Sequence, residues 1–73
     1  MASFTDRLKI LRNEKKLKQT EMASYLGLNV RTYQDYEYGN VIPNALMLIK
    51  LAEYFSVSVD FLLGLSDTRE RHS

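Results

Sequence analysis

The sequence of 73 residues has no cysteine, a single histidine, one proline and three glycines. Without cysteine there is neither a disulfide scaffold nor a thiolate metal site, and the lone His72 lies in a polar C-terminal stretch with no second ligand beside it. The chain must therefore stand on its apolar core, and it suits a reducing compartment. So few glycines and prolines leave little room for hairpin turns, which points to helices. No run of eighteen apolar residues exists for a membrane span, and Met1 to Asp6 lack the basic-then-apolar order of a signal peptide. A cytoplasmic protein is expected. Catalytic inventory is also missing: no histidine outside the tail, no phosphate-cradling glycine loop and no close acid pair leave nothing to act as nucleophile, base or metal cage. Neither a cofactor nor a small-molecule substrate is implied.

What is present is enough for one domain and no more, since domains usually run to roughly 100–200 residues. A composition 45% hydrophobic and 26% charged is that of a soluble globular chain. Area scaling gives a folded surface of about 4,700 Å² with about 60% of the unfolded surface hidden, so the core is small. The net charge of +1 conceals an asymmetry. Residues 1–18 carry Arg7, Lys9, Arg12, Lys15, Lys16 and Lys18 against Asp6 and Glu14, a local +4, while the rest nets −3. Such a distribution suits an anionic partner.

Phe4, Leu8 and Leu11 fall at helical spacing behind a Ser3 cap, with Asp6 completing a capping box, which predicts a helix over 3–15. Met22, Ala23 and Leu26 predict a second over 19–26, ended by Gly27 in the left-handed conformation. Asn29 caps a third over 30–38, in which Leu28 staples onto Tyr33, Tyr33 and Tyr36 share the inward face, and Gly39 stops the turn. Pro43 breaks the chain, Asn44 caps a fourth helix over 45–55, and Leu48, Ile49, Ala52 and Phe55 form its inward stripe. Val57, Ser58 and Val59 repeat the staple and cap ahead of a short fifth helix with Asp60, Phe61, Leu62 and Leu63. Residues 1–65 are read as the domain and 66–73 as a frayed polar tail.

Helices two and three are separated by only Leu28 and Asn29. Ala23 offers a small residue where one helix backs onto the other, and Gly27 offers the turn glycine. On spacing alone this is either a plain helical hairpin or a helix-turn-helix. The wider pattern decides it: Leu8, Leu11-Arg12, Leu17, Gln19, Glu21, Met22-Ala23, Leu26-Gly27, Tyr33, Tyr36-Glu37, Gly39, Pro43, Leu48, Leu51-Ala52 and Val57-Ser58-Val59-Asp60 with Leu62-Leu63-Gly64. These residues resemble the helix-turn-helix domains of the phage Cro and repressor type, also called the XRE family, from about Phe4 to Asp67. The resemblance implies an all-α fold, a compact five-helix lambda-repressor-like DNA-binding domain with a central helix-turn-helix. It also implies a bacterial or phage transcription regulator, a repressor, acting as a weak homodimer on double-stranded DNA with a pseudo-palindromic operator.

Carried over position by position, the resemblance places the third helix in the major groove, with Val30, Arg31, Gln34 and Asp35 as base readers. Arginine matches guanine O6 and N7, glutamine pairs with adenine, and valine touches a thymine methyl. Phosphate contacts are implied for Lys18, Gln19, Thr32, Tyr38 and Asn40. Lys18 replaces the usual capping Ser, Thr or Asn ahead of Glu21, and a cation there opposes the helix dipole at a cost of roughly 0.3–1 kcal/mol that a phosphate would offset. Arg12 and Glu37 resemble a pair that ties the first helix to the third. Phe61, Leu62 and Leu65 are the implied dimer contact, with Leu62 alternatively wholly core, and Leu46 with Met47 is either a contact patch or the core edge. The loop over 39–43 has no cation, where relatives are often basic. That departure supports the alternative of a protein-interaction module on the same fold, an antitoxin or an adaptor of another regulator.

Overall fold

Helix starts follow from the residue just ahead of each. A computed structural model, which describes residues 3–70, contains α1 (Phe4–Glu14), α2 (Gln19–Leu26), α3 (Val30–Tyr38), α4 (Ala45–Phe55) and α5 (Val59–Leu62). Ser3, Asn29, Asn44 and Ser58 sit at N-caps in extended backbone, and their side-chain oxygens accept from the amides of Asp6, Thr32, Met47 and Phe61. A cap of this kind stabilises by about 1 kcal/mol. The fifth start, at Lys18, has no such acceptor and is taken up below.

Each helix is also followed by a residue in the left-handed region. Gly27, Gly39 and Gly64 fill three of these positions, and Lys16 and Ser56, both at φ 56°, fill the others. A chain with three glycines therefore turns two of its five helix ends with residues that carry a Cβ there at a cost of about 1–2 kcal/mol. At Gly27 a Cβ would meet no atom within 4 Å, so it is the backbone conformation that demands glycine, while Ala23, the small residue expected where the helices meet, is buried.

Helix α1 packs against α3 and α5, α2 against α3, and α4 against α5. Leu8, Leu11, Met22, Leu26, Tyr33, Tyr36, Leu51, Ala52, Phe55, Val57, Phe61 and Leu62 enclose one core. The surface of 4717 Å² is that of a compact chain of this mass. Among the described residues no helix is long and apolar enough to cross a membrane. The inward stripe of α4 needs one correction. Leu51 is wholly buried, whereas Ile49 is 45% exposed, because the stripe of Leu48, Leu51, Ala52 and Phe55 turns position 49 outward. Leu46 is exposed and Met47 packs against the core, so Met47 is core edge and Leu46 is surface.

The largest departure from expectation is Arg7, counted above among the cations of residues 1–18 that suit an anionic partner. It is buried, its Nη1 donates to the carbonyls of Phe61 at 3.1 Å and Ser66 at 3.0 Å, and its guanidinium lies 3.9 Å from the centre of the Phe61 ring. Arg69 donates to both Glu14 oxygens at 2.8 Å, and its carbonyl accepts from the Ser58 amide. The polar stretch expected to fray is thus held against α1 and α5 as far as Arg69. His72 lies outside the described residues.

Three outcomes are expected from thermal or urea unfolding. Ser56→Gly should stabilise by up to about 1 kcal/mol by relieving the left-handed serine. Arg7→Ala should cost about 2–4 kcal/mol through lost carbonyl contacts and packing. Asp67→Asn should change stability by less than about 0.5 kcal/mol, because the Asp67 side chain that receives Arg7 Nη2 is 99% exposed.

Candidate nucleic-acid interface

The pair α2 and α3 forms the central helix-turn-helix. Gly27 closes α2 at φ 73°, the Leu28 amide returns to the Ala23 carbonyl at 2.8 Å, and Asn29 opens α3 two residues later. Leu28 is half-buried against the core that holds Tyr33, as the staple requires. Tyr33 and Tyr36 are buried and 6.4 Å apart edge to face, while Tyr38 points outward.

A carboxylate fixes the inner side of this unit. Glu37 is 1% exposed, and its two oxygens accept four hydrogen bonds from three neighbouring residues. Arg12 donates through Nε and, at 3.1 Å, through Nη2, a two-pronged bridge from α1 to α3. Gln19 Nε2, at the start of α2, donates at 3.0 Å, and the Tyr33 hydroxyl donates from one turn back on α3. Arg12 Nη1 holds the Leu17 carbonyl at 2.8 Å, so the same guanidinium also anchors the turn entering α2. Burial pushes the Glu37 carboxyl up, but the hydrogen bonds from Arg12, Tyr33 and Gln19 outweigh it and leave the carboxyl below its usual range. Burial and then the bond to Glu37 push the Tyr33 phenol well above its usual range, so it donates as a neutral hydroxyl.

The outer side carries the polar residues singled out in the sequence. Arg31 lies in the first turn of α3 with its side chain 85% exposed, within 3.9 Å of Asp35 Oδ1. Val30 is exposed beside it. Asp35 also accepts from Asn40 Nδ2 at 3.2 Å, and its carbonyl receives the Asn40 amide at 3.0 Å, so Arg31, Asp35 and Asn40 form one surface group. Thr32 is spent locally, its hydroxyl donating to Asn29 Oδ1 at 3.0 Å. Gln34 is half-buried and donates to Gln19 Oε1 at 3.1 Å.

Lys18 is exposed at the N-cap of α2, where half of the capping box survives. Glu21 Oε1 accepts from the Lys18 amide at 2.8 Å, but an ammonium cannot accept in return, so this helix start presents unfilled amides and a positive charge. The Gln19 side chain faces inward to Glu37 and Gln34, which leaves its backbone amide as the group able to meet a phosphate. Sequence reasoning missed that inward role and the Tyr33 hydroxyl bond. The four-residue spacing of Tyr33 and Glu37 was the available signal for the second.

The three residues expected at a dimer contact divide. Phe61 is buried beneath Arg7, with Arg69 5.2 Å from its ring centre, and Leu62 is fully buried. Both are committed to the core of the chain itself, because α5 is a single turn whose apolar residues cover α1 and α4. Leu65, 71% exposed, is the one of the three that is accessible.

Removing Arg12 strands a buried carboxylate, so Arg12→Ala should cost about 3–5 kcal/mol and unfold much of a domain this small. Glu37 also sets an acid limit. Its folded pKa lies below the unfolded one, so its stabilisation is present above the unfolded value of about 4.3 and is lost as pH falls through the folded value. Urea titrations from pH 6 to pH 2 should show a shallower acid loss for Glu37→Gln than for the wild type. Equal slopes would mean that Glu37 is not held ionised.

A helix-turn-helix family profile matches residues 8–62. Among curated proteins the chain is 42% identical over 60 residues to the SPbeta prophage-derived uncharacterized HTH-type transcriptional regulator YonR of Bacillus subtilis, covering 82% of this chain and 56% of that one. It is 40% identical over 60 residues to the uncharacterized HTH-type transcriptional regulator YqaE of the same organism, covering 82% and 52%. It is 34% identical over 65 residues to the cryptic phage CTXphi transcriptional repressor RstR of Vibrio cholerae, covering 89% and 59%. The chain thus spans just over half the length of these relatives. With the helix order, the two-residue turn and the Arg12–Glu37 bridge in place, the chain belongs to the helix-turn-helix family of the phage Cro and repressor type.

Proposed function

We propose that this domain is a sequence-specific double-stranded DNA-binding regulator of transcription, a repressor that occludes a promoter in the cytoplasm of its host. One observation carries the reading: Lys18 and Arg31 place exposed cations at the N-terminal ends of α2 and α3, where the helix dipole disfavours them by roughly 0.3–1 kcal/mol each. Among the described residues no carboxylate pairs with the Lys18 ammonium, and a phosphate would offset the cost. At Arg31 the pairing with Asp35 is long and leaves the guanidinium in solvent, so it is worth little, and a guanine edge supplies the stronger partner. The relatives named as transcriptional regulators and as a phage repressor support the same reading.

On this reading α3 enters the major groove with Val30, Arg31 and Gln34 towards base edges and Asp35 orienting Arg31. Lys18, the Gln19 amide, Tyr38 and Asn40 meet the backbone, while Thr32 acts through the cap of α3. A helix of under three turns reads only a few base pairs. The active species is therefore a weak C2 homodimer, in contact around Leu65, with recognition helices about 34 Å apart on a pseudo-palindrome.

Arg31→Ala should weaken specific binding by about 1–3 kcal/mol and relax preference at one base pair per half-site. Lys18→Ala should weaken binding to all sequences alike and reduce the slope of log K against log salt by about one per protomer. Footprinting and salt titrations separate the two, and a sequence-dependent Lys18 effect would remove it from the phosphate set. Leu65→Glu should abolish cooperative occupation of the two half-sites while the domain stays folded. Wild-type cooperativity in that variant would place the dimer contact elsewhere.

A further inference from the structure

Glu37, Gln19 and Gln34 form a row of hydrogen bonds whose sense is dictated from one end. An ionised carboxylate can only accept. Arg12 and Tyr33 occupy most of its capacity, and Gln19 Nε2 takes a position on Oε1 at 3.0 Å. The Gln19 amide cannot be reversed there, since its oxygen would face a carboxylate oxygen. Its carbonyl is thereby turned to the other side, where it accepts from Gln34 Nε2 at 3.1 Å. Gln34 has then spent one N–H inward and keeps its carbonyl oxygen and a single N–H.

An untethered glutamine turns its terminal amide at little cost and offers either end of it to a base. The tethered Gln34 offers one acceptor and one donor in a set order. In the major groove adenine presents an acceptor at N7 and an amino group at N6, cytosine presents an amino group, and guanine presents two acceptors. We infer that Glu37 and Gln19 are positioning residues that fix the Gln34 amide, so that Gln34 selects adenine and rejects guanine at the base pair it meets. This rests on the DNA-binding reading above. Offering a second N–H to guanine would require breaking the Gln34–Gln19 bond. A bidentate contact to the matched base discriminates by about tenfold or more.

The test is selection of bound sequences from random duplex DNA by the full chain and by Gln34→Ala, Gln19→Met, Gln19→Ala and Arg31→Ala, each checked by melting temperature. Gln34→Ala identifies the base pair concerned by erasing preference there. Gln19→Met keeps the length of the side chain and leaves Arg12 and Tyr33 on Glu37. It should cut the adenine-over-guanine preference at that same pair from about tenfold to about twofold or less, with the Arg31 base pair unaffected. Gln19→Ala should do the same, and serves if the methionine perturbs folding. Undiminished preference in folded Gln19 variants, a guanine at the Gln34 position, or no change with Gln34→Ala would each overturn the inference while leaving DNA binding intact. Failure of the wild-type chain to enrich any sequence would instead overturn the DNA-binding reading and the inference with it.

Discussion

Everything on the recognition side of this domain depends on keeping one carboxylate ionised out of water. Moving a bare charge from water into a protein costs several kcal/mol, so Glu37 is tolerable only when its lone pairs are filled. The residues that fill them lie on different elements: Arg12 on α1, Gln19 on α2 and Tyr33 on α3. Satisfying the charge therefore fixes three helices at once. The surface of α2 and α3 inherits its geometry from the interior, through Leu17 at the entrance to α2 and through Gln34 on the outer face.

The same economy shapes the charge of the molecule. Of the six cations in residues 1–18, Arg12 is drawn into the Glu37 cluster and Arg7 into the seam between α1 and α5. Among the described residues the surface cations are then the lysines, Arg31 and Arg69, the last paired with Glu14, and the loop after α3 has none. A domain with so few exposed cations neutralises few phosphates and gains little sequence-independent affinity. On the proposed reading, base contacts and the pairing of two protomers supply more of the binding, which places the burden on the orientation of Arg31 and Gln34.

The helices were legible because their signals are local. A cap at Ser3, Asn29, Asn44 or Ser58 and a glycine stop after α2 and α3 act over a single turn, so the bounds follow from short stretches of sequence. Arg12 and Glu37 were read through the family resemblance, and spacing alone would not have joined residues so far apart in the chain. What escaped was set by tertiary contacts. Arg7 looks like any cation on an amphipathic helix, and only the approach of Phe61 and Ser66 from the far end of the chain buries it. Gln19 was read as a phosphate contact through the family resemblance, which places a glutamine at the start of the second helix. Whether its amide turns inward depends on Glu37, one helix away. Phe61 was read as a dimer contact, and Leu62 as either dimer contact or core, because the sequence does not reveal that so short a helix must spend both on its own core.

The most direct measurement is a carbon-detected NMR titration of the Glu37 carboxyl in the intact chain. With burial opposed and outweighed by Arg12, Tyr33 and Gln19, its midpoint should fall below the ordinary glutamate value of about 4.3, and the domain should unfold as it is protonated. A midpoint at or above that value, with the fold unchanged through the titration, would show that the carboxylate does not organise the recognition unit.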